Sequence, residues 1–347
     1  MSATAPAISV VVSTRNRGAM IEPALVSLLA MRHPSFEVIV VDQSSDTLSD
    51  GLVRGMAAAD SRLHYLRSER TGLSRGRNDG IAASRGEIVA FTDDDCVVDR
   101  EWLGAIEREL NDPGVGGMFG RVLPSEYASR TGIDLAFKAS QERVEYVGRC
   151  IPWHVGHGAN MAFRRDALMA AHGFDELLGA GGLLPSHEDG DMSYRVLARG
   201  FRVVFSPRAL VYHRQWRDWA ERKHVERAYG LGAGGQFIKY VRCGDPYGWR
   251  LLATWIWQLG VRRVGAGLLK WRSLRVMHLG LIQLAYPWLG AWRSIRYPVD
   301  RQRMVYESGE APDVLIRGRI GAERRDAALV GAAAKLASEA SDPVENR

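Results

Sequence analysis

Cysteine is scarce in this chain, and the few cysteines form no recognisable pattern. Cys96, Cys150 and Cys243 lie far apart among 347 residues, and no CxxC pair occurs. The sequence therefore predicts neither a cysteine-rich zinc site nor a disulfide framework, and it fits a reducing compartment. The N-terminus also lacks a positively charged segment followed by a long apolar stretch, so we expect no secretory signal and a cytoplasmic location.

Long apolar runs are lacking as well. Residues 251–261 form an apolar run of only eleven residues, and the seventeen uncharged residues 276–292 are interrupted by His278, Gln283 and Pro287. Both runs fall short of the length and composition of a transmembrane helix.

Positive charge and tryptophan are concentrated in one segment. Residues 239–296 carry ten Lys or Arg against a single acid, Asp245, and six of the ten Trp. This composition favours helices that lie at the headgroup level of an anionic membrane. The alternative is a helical subdomain that packs against the rest of the protein with its arginines in water. No recognised nucleic-acid-binding module accompanies the positive charge, so we expect no nucleic-acid partner.

Strand-like and helix-like segments alternate over the first two hundred residues. Predicted strands cover 8–13, 36–41, 64–67 and a run ending at Asp93, and predicted helices lie between them at 19–31, 52–59 and 77–84. Repeated units of this length imply a mainly parallel sheet with helices on both faces. Ligands of such sheets bind beyond the carboxyl ends of the strands.

Three consecutive carboxylates end the fourth predicted strand. Asp93, Asp94 and Asp95 follow an apolar run directly. Adjacent like charges repel one another, and a bound divalent cation removes that penalty because carboxylate oxygens suit Mg²⁺ or Mn²⁺. The alternative is a solvated acidic turn. We expect a metal site at this edge of the sheet.

A second acidic cluster opens a predicted helix after the glycine-rich loop 179–182. Its acids are Glu188, Asp189 and Asp191. An ordinary helix start, in which Ser186 caps the helix and the acids favour its dipole, would account for some of them. The pattern alone leaves capping and catalysis open. Predicted strands at 201–205 and 209–212 follow and end at His213, whose residue type suits packing more often than metal binding.

Six motifs, in order, resemble the family-2 inverting glycosyltransferases of the GT-A fold. They cover about residues 7–213 and read ISVVVSTRNR, VDQSSD, GLSRGRNDGIAASRGEIVAFTDDDC, GHGANMAFRRDAL, GFDE and HEDGDMSYRVLARGFRVVFSP. One short motif is weak evidence, whereas six in the correct order are strong. The resemblance implies an α/β fold of the GT-A type, Rossmann-like and mainly parallel, with a C-terminal helical region.

The resemblance also implies roles for individual residues. Its donor-binding positions are Ser13, Arg15, Asp42, Arg77, Asn78 and Asp93. Asp42 would contact the base and Asp93 would lie near the ribose. The metal positions are Asp94, which we favour, Asp95 and His213, and the implied cofactor is Mn²⁺ or Mg²⁺. Asp189 matches the general base, while Glu188 and Asp191 would support it or touch the acceptor.

The predicted function is metal-dependent, inverting sugar transfer. A sugar would move from a nucleoside-diphosphate sugar, with UDP or dTDP as the nucleotide, to a glycan or lipid-linked acceptor, as in polysaccharide or cell-envelope synthesis. A metal neutralises the leaving diphosphate, and one carboxylate deprotonates the attacking hydroxyl, so that direct displacement inverts the anomeric carbon.

Two alternatives carry less weight. A sugar-nucleotide nucleotidyltransferase predicts a glycine-rich loop with a basic residue after the first strand, a pattern that STRNRG lacks. A catalytically silent glycan-binding or assembly protein would be free to lose the two acidic clusters, both of which this chain keeps.

We expect three regions along the chain. Residues 1–215 would form the catalytic domain, 216–300 the basic helical region, and 301–347 a peripheral helix, at 322–340, with a tail. The helical region should begin with a helix over 216–229, which the glycine run 230–235 should break.

Overall fold

The computed structural model describes residues 6–125, 137–214 and 218–307. The predicted helix at 322–340 and the tail lie outside the described residues. The largest element is one mixed sheet. Its strands are β1 (Ile8–Thr14), β2 (Phe36–Asp42), β3 (Leu63–Arg67), β4 (Ile88–Asp93), β5 (Cys96–Val98), β6 (Val115–Pro124), β7 (Val144–Tyr146), β8 (Asn160–Arg164) and β9 (Arg202–His213).

The sheet has the strand order β3-β2-β1-β4-β8-β6-β9-β5, and β7 pairs with β9. Its first half, β3 to β4, is entirely parallel as predicted, whereas β8, β5 and β7 run antiparallel to their neighbours. The two strands predicted at 201–205 and 209–212 are one strand, β9. Its length lets it pair with β6 throughout and with β5 at its end.

Helices cover both faces of the sheet. They are α1 (Glu22–Leu29), α2 (Leu48–Ala59), α3 (Leu73–Ala83), α4 (Trp102–Leu110), α5 (Arg165–Ala170) and α6 (Glu188–Ala198). Side chains of β1 alternate between two cores, because Val10 and Val12 pack with Leu25 of α1, and Val11 packs with Ile81 of α3. The predicted α/β architecture, with helices on both faces, is confirmed.

The C-terminal region is helical. It contains α7 (Trp219–Arg242), α8 (Tyr247–Trp255), α9 (Arg262–Gly265) and α10 (Leu274–Ser294), with wide π-helical turns at Ile256–Val261 and Ala266–Lys270. A two-stranded ribbon follows, made of β10 (Val299–Asp300) and β11 (Val305–Tyr306). Within the described ranges, no helix has the length and apolar composition needed to cross a membrane.

The predicted helix break at 230–235 is wrong, since α7 passes through these glycines without interruption. The glycines allow neighbouring chain segments to approach closely. A Cβ on Gly234 would lie 1.8 Å from the carbonyl oxygen of Pro287 in α10, and a Cβ on Gly290 would lie 2.0 Å from that of Leu231. Helix propensity alone predicts a break at these glycines, because it does not take into account the helix packed against them.

We expect Gly234→Ala to lower the free energy of unfolding by about 1–3 kcal/mol, because the added methyl group overlaps the backbone of α10. Gly265→Ala is the matched control, since no described residue from outside its own helix turn lies within 4 Å of its Cβ position in α9. That change should be neutral or stabilise the protein by up to about 1 kcal/mol. Urea unfolding of both variants measures the difference, and equal stabilities would refute close packing at Gly234.

Candidate active site

Two cavities meet at the carboxyl edge of the parallel strands. The first has a volume of about 330 Å³. Its lining residues come from the ends of β1 and β4, the start of α3 and the glycine-rich loop: Ser13, Thr14, Arg15, Arg17, Gln43, Gly72, Leu73, Asp93, Asp94, Asp95, Ala180, Gly181 and His213. The second has a volume of about 430 Å³ and extends past Asp93 to Asp189 and to one side of α7.

Strand pairing brings an acid cluster together at the mouth of the first cavity. Ser13 at the end of β1 lies opposite Asp93 at the end of β4, and Cys96 at the start of β5 lies opposite His213. As a result, ligand atoms of Asp93, Asp95, Cys96 and His213 all lie within 4.8 Å of one another. His213 Nε2 lies 3.3 Å from Asp95 Oδ1.

The donor atoms of this cluster fit a divalent cation. Two carboxylates and an imidazole suit Mn²⁺ better than Mg²⁺, which prefers oxygen ligands alone. Burial, together with the charge of Asp95, raises the pKa of the Cys96 thiol well above its usual value, and a soft sulfur ligand suits Mn²⁺ or Mg²⁺ less well than carboxylate oxygen or imidazole nitrogen does. Asp93, Asp95 and His213 are therefore the residues that could hold the ion.

Asp94, the metal ligand favoured from the sequence, is held by two other side chains. Thr14 Oγ1 donates to Asp94 Oδ2 over 2.7 Å, and Arg17 Nε lies 3.5 Å from Asp94 Oδ1. Burial, together with the charge of Asp95, raises the pKa of Asp94 to about 7. Asp94 is thus outside the group of four residues described above, and which of the three Asp residues binds a metal stays a prediction.

Asp189 lies in the second cavity with its carboxylate fixed by the backbone. Gly158 N–H donates to its Oδ2 and Gly190 N–H donates to its Oδ1, both over 2.7 Å. His187, rather than Ser186, occupies the N-cap position of α6, with a left-handed φ of 73°. The simple capping explanation that relies on Ser186 is therefore wrong, since the Ser186 hydroxyl donates instead to the carbonyl oxygen of Ala228 in α7.

Arg77 joins the two acidic clusters. Its Nη1 donates to Glu188 Oε1 over 2.8 Å, and its Nη2 donates to Asp93 Oδ1 over 3.3 Å. Burial raises the pKa of Glu188 to about 7 although the positive charge of Arg77 opposes this shift. Arg77 is buried, so it fixes the separation between the acid cluster and α6 rather than serving as a mobile surface cation.

Three predicted site residues are occupied elsewhere. Asp42 is fully buried and accepts hydrogen bonds from Ser44 N–H and Tyr65 OH. Asn78 is bonded to both the N–H and the carbonyl oxygen of Phe174. Neither side chain is among the residues that line the first cavity, and their predicted donor contacts stay predictions.

Asp191 is the third. Its carboxylate is fully buried against Arg195, Lys239 and Tyr240. Burial alone would raise its pKa, but Arg195 and Lys239 hold the pKa below its usual value. Asp191 thus lies at the junction between α6 and α7, and its predicted role beside Asp189 stays a prediction.

Two other predicted donor residues line the first cavity, and some lining residues were missed. Ser13 and Arg15 line the first cavity, and the buried hydroxyl oxygen of Ser13 has no hydrogen-bond partner among the described residues. Sequence reasoning missed Arg17 and His157, although both stand inside the quoted STRNR and GHGAN motifs. It also missed the α7 side chains in the second cavity, for which no motif gave a signal.

Comparisons with known proteins bear on the family and the fold. Residues 9–170 match the family model for Glycosyl transferase family 2. The pre-mycofactocin glycosyltransferase of Mycobacterium tuberculosis is 30% identical over 230 residues, which cover 62% of this chain and 45% of that protein. This chain thus spans less than half the length of that relative.

Two further similarities extend the comparison. The glucosyl-dolichyl phosphate glucuronosyltransferase of Haloferax volcanii is 24% identical over 234 residues, which cover 61% of this chain and 72% of that protein. A solved mannosyltransferase from Pyrobaculum calidifontis, in complex with GDP-Man and Mn²⁺, matches with a TM-score of 0.55 at 20% identity. That match covers 84% of this chain and 88% of the other, and it shows a shared fold.

Proposed function

Because the chain belongs to glycosyl transferase family 2, we propose that it transfers a sugar from a nucleoside-diphosphate sugar to a hydroxyl group of a glycan or lipid-linked acceptor, with inversion. The proposal rests mainly on one observation. A cluster able to hold a divalent cation lies in the first cavity, and Asp189, whose carboxylate is fixed by the backbone, lies in the adjoining second cavity. Arg77 donates hydrogen bonds to Asp93 and Glu188 and so links the two sites.

The first cavity is the proposed donor site. Ser13 and Arg15 would contact the nucleoside, and Asp93, Asp95 and His213 would hold Mn²⁺, or less favourably Mg²⁺. A bound divalent cation supplies Lewis-acid neutralisation of the leaving diphosphate. The mannosyltransferase of the same fold, solved with GDP-Man and Mn²⁺, supports this assignment. UDP and dTDP remain the proposed nucleotides, and GDP belongs in the test.

Asp189 is the proposed general base. Two backbone N–H groups orient its carboxylate, so an acceptor hydroxyl entering the second cavity would meet a fixed oxygen acceptor. As that hydroxyl attacks the anomeric carbon, its proton would pass to Asp189 while the bond to the diphosphate breaks. One displacement from the side opposite the leaving group gives the inverted product.

Calorimetric titration tests the donor site. UDP, dTDP and GDP are titrated into the full chain with Mn²⁺ and again with EDTA. We expect one nucleotide to bind in Mn²⁺ and binding to be lost in EDTA. Binding of none of the three, under either condition, would contradict the proposed donor site.

The helical region supports a membrane partner for this function. Helices α8 to α10 form an antiparallel helical hairpin, residues 247–294, in which Gly260 packs near Leu284 and Gly267 near Met277. The outward-facing stripe of α10 is mostly apolar, with one histidine: Leu274, His278, Leu281, Ala285, Trp288 and Trp292. A helix surrounded by water would present a polar stripe there.

The tip of the helical hairpin, residues 269–274, further supports a membrane partner. Leu269 is 86% exposed, Leu274 77% and Trp271 56%. Residues 246–296 contain eight Lys or Arg and no acid, which complements an anionic lipid surface. We propose that this tip enters the headgroup region on the inner face of the cell membrane, where a lipid-linked acceptor in polysaccharide or cell-envelope synthesis would be met.

We expect Leu269→Asp to reduce binding to vesicles of phosphatidylcholine and phosphatidylglycerol by at least about tenfold, because it places a charge where an apolar side chain would be buried. Leu48→Asp is the control, since Leu48 is 70% exposed on α2, outside the helical hairpin. Sedimentation with vesicles measures both. Equal binding of the two variants would refute docking through the tip, and phosphatidylcholine vesicles alone should bind the wild type weakly.

A further inference from the structure

A small aromatic cavity adjoins Asp189 on the side of the helical region. We call it the aromatic lobe; its volume is about 110 Å³. It is lined by Pro152, Trp153, Gly156, His157, His187, Asp189, Gly190, Tyr229 and Trp255. It shares Asp189 and three aromatic-ring residues with the second cavity, but none of the residues in the acid cluster. It is therefore open to the proposed base and separate from the donor side.

Two tryptophans form a right-angled corner of the lobe. The ring centroids of Trp153 and Trp255 lie 5.0 Å apart, and the ring planes meet at 86°. Trp255 Nε1–H donates to Gln283 over 2.9 Å, and Trp153 Nε1–H donates to Gln258 over 3.4 Å. Trp255 is only 3% exposed and packs behind Trp153. Trp153 is half-buried, and because its indole N–H is already bonded, the surface that it offers a ligand is aromatic carbon.

The lobe carries no positive charge that would attract an anion. Among the described residues, no Lys or Arg lines it, and Asp189 is its single acid. Burial lowers the pKa of both His157 and His187, so these imidazoles are neutral near pH 7. A phosphate or carboxylate placed here would face the Asp189 carboxylate with no compensating cation.

We infer that the aromatic lobe binds the acceptor ring that carries the attacking hydroxyl, and that this ring is an uncharged sugar. This inference rests on the proposed function. A pyranose has C–H faces that pack on aromatic rings and hydroxyl groups at its edge that can reach Asp189. The small volume limits the occupant to a single ring, so the rest of the acceptor would extend into the second cavity.

The inference gives the helical region a part in acceptor recognition. Tyr229 comes from α7 and Trp255 from α8, so the catalytic domain alone has an incomplete lobe. Gln283 of α10 holds the Trp255 indole, and Glu226 of α7 accepts a hydrogen bond from the same glutamine over 2.6 Å. The helices that carry the proposed membrane surface thereby also shape the acceptor site.

Saturation-transfer NMR with neutral methyl pyranosides tests the inference on the full chain. The probes are the methyl glycosides of glucose, mannose, galactose and N-acetylglucosamine, with octanol and glycerol phosphate as an apolar and an anionic comparison. We expect at least one pyranoside to bind and Trp153→Leu to weaken it about tenfold, because the flat aromatic face is lost. Trp153→Phe should retain most of the binding.

Trp257→Leu is the matched control, because Trp257 lies two residues beyond Trp255 but is 58% exposed and outside the lobe. It should leave pyranoside binding unchanged. Calorimetric nucleotide binding distinguishes a failure of this inference from a failure of the proposed function, because Trp153→Leu should bind nucleotide like the wild type. The inference is overturned if no pyranoside binds, if octanol or glycerol phosphate is preferred, or if both leucine variants behave alike.

Discussion

Replacing Asp189 by asparagine should lower sugar transfer by about 10²- to 10⁴-fold while leaving nucleotide binding unchanged. The amide keeps the shape of the side chain but accepts no proton from the attacking hydroxyl, and general-base catalysis contributes an effect of this size. Nucleotide binding should survive because Asp189 does not line the first cavity. Steady-state release of nucleoside diphosphate and calorimetry measure the two quantities on the same preparation.

Asp166→Asn is the control for a loss of one carboxylate. Asp166 lies in the first turn of α5, paired with Arg164, and lines neither cavity. Its turnover should equal that of the wild type. Turnover of Asp189→Asn within a few fold of the wild type would remove Asp189 as the base and leave Glu188 as the remaining acid beside Arg77.

Replacing Asp95 by asparagine should weaken Mn²⁺-dependent nucleotide binding by at least about 100-fold, since one carboxylate ligand of the proposed site is lost. Asp94→Asn, one residue earlier, should have a smaller effect, within about tenfold, because Asp94 is bonded to Thr14 and Arg17 and lies outside the group of four residues whose ligand atoms come together. Calorimetric titration of Mn²⁺ in the presence of nucleotide gives both values.

The two variants, Asp95→Asn and Asp94→Asn, also distinguish which of these carboxylates is the main metal ligand. A larger loss in Asp94→Asn than in Asp95→Asn would restore Asp94 as the main ligand and contradict the structure-based order. Thermal unfolding of both variants controls for stability, because burial raises the pKa of Asp94 to about 7 and its neutral amide should be tolerated.

The family resemblance, the α/β architecture and the two acidic clusters could be predicted from the sequence. Alternating apolar segments specify parallel strands, and polar residues after those strands necessarily share one edge. The order within Asp93–Asp95 could not be predicted, because β4 ends at Asp93 and β5 begins at Cys96. Which way the intervening side chains point depends on Thr14 and His213, from distant strands.

Three predicted site residues are held by partners from distant parts of the chain. The partners of Asp42 and Asn78, namely Tyr65 and Phe174, come from other elements. Likewise, Asp191 is buried by Lys239 of α7, 48 positions along the chain. A motif gives the type and position of a side chain, whereas these long-range partners decide whether it faces a cavity or the interior.

Inverting sugar transfer by this chain is tested by following nucleotide-sugar turnover by NMR. The full chain is incubated with Mn²⁺, UDP-, dTDP- and GDP-sugars, and the neutral methyl pyranosides. We predict that one donor releases its nucleoside diphosphate and that the first-formed product has the opposite anomeric configuration to the donor. A product that retains the configuration, or Mn²⁺-dependent nucleotide binding without turnover of any sugar, would contradict inverting transfer by this chain.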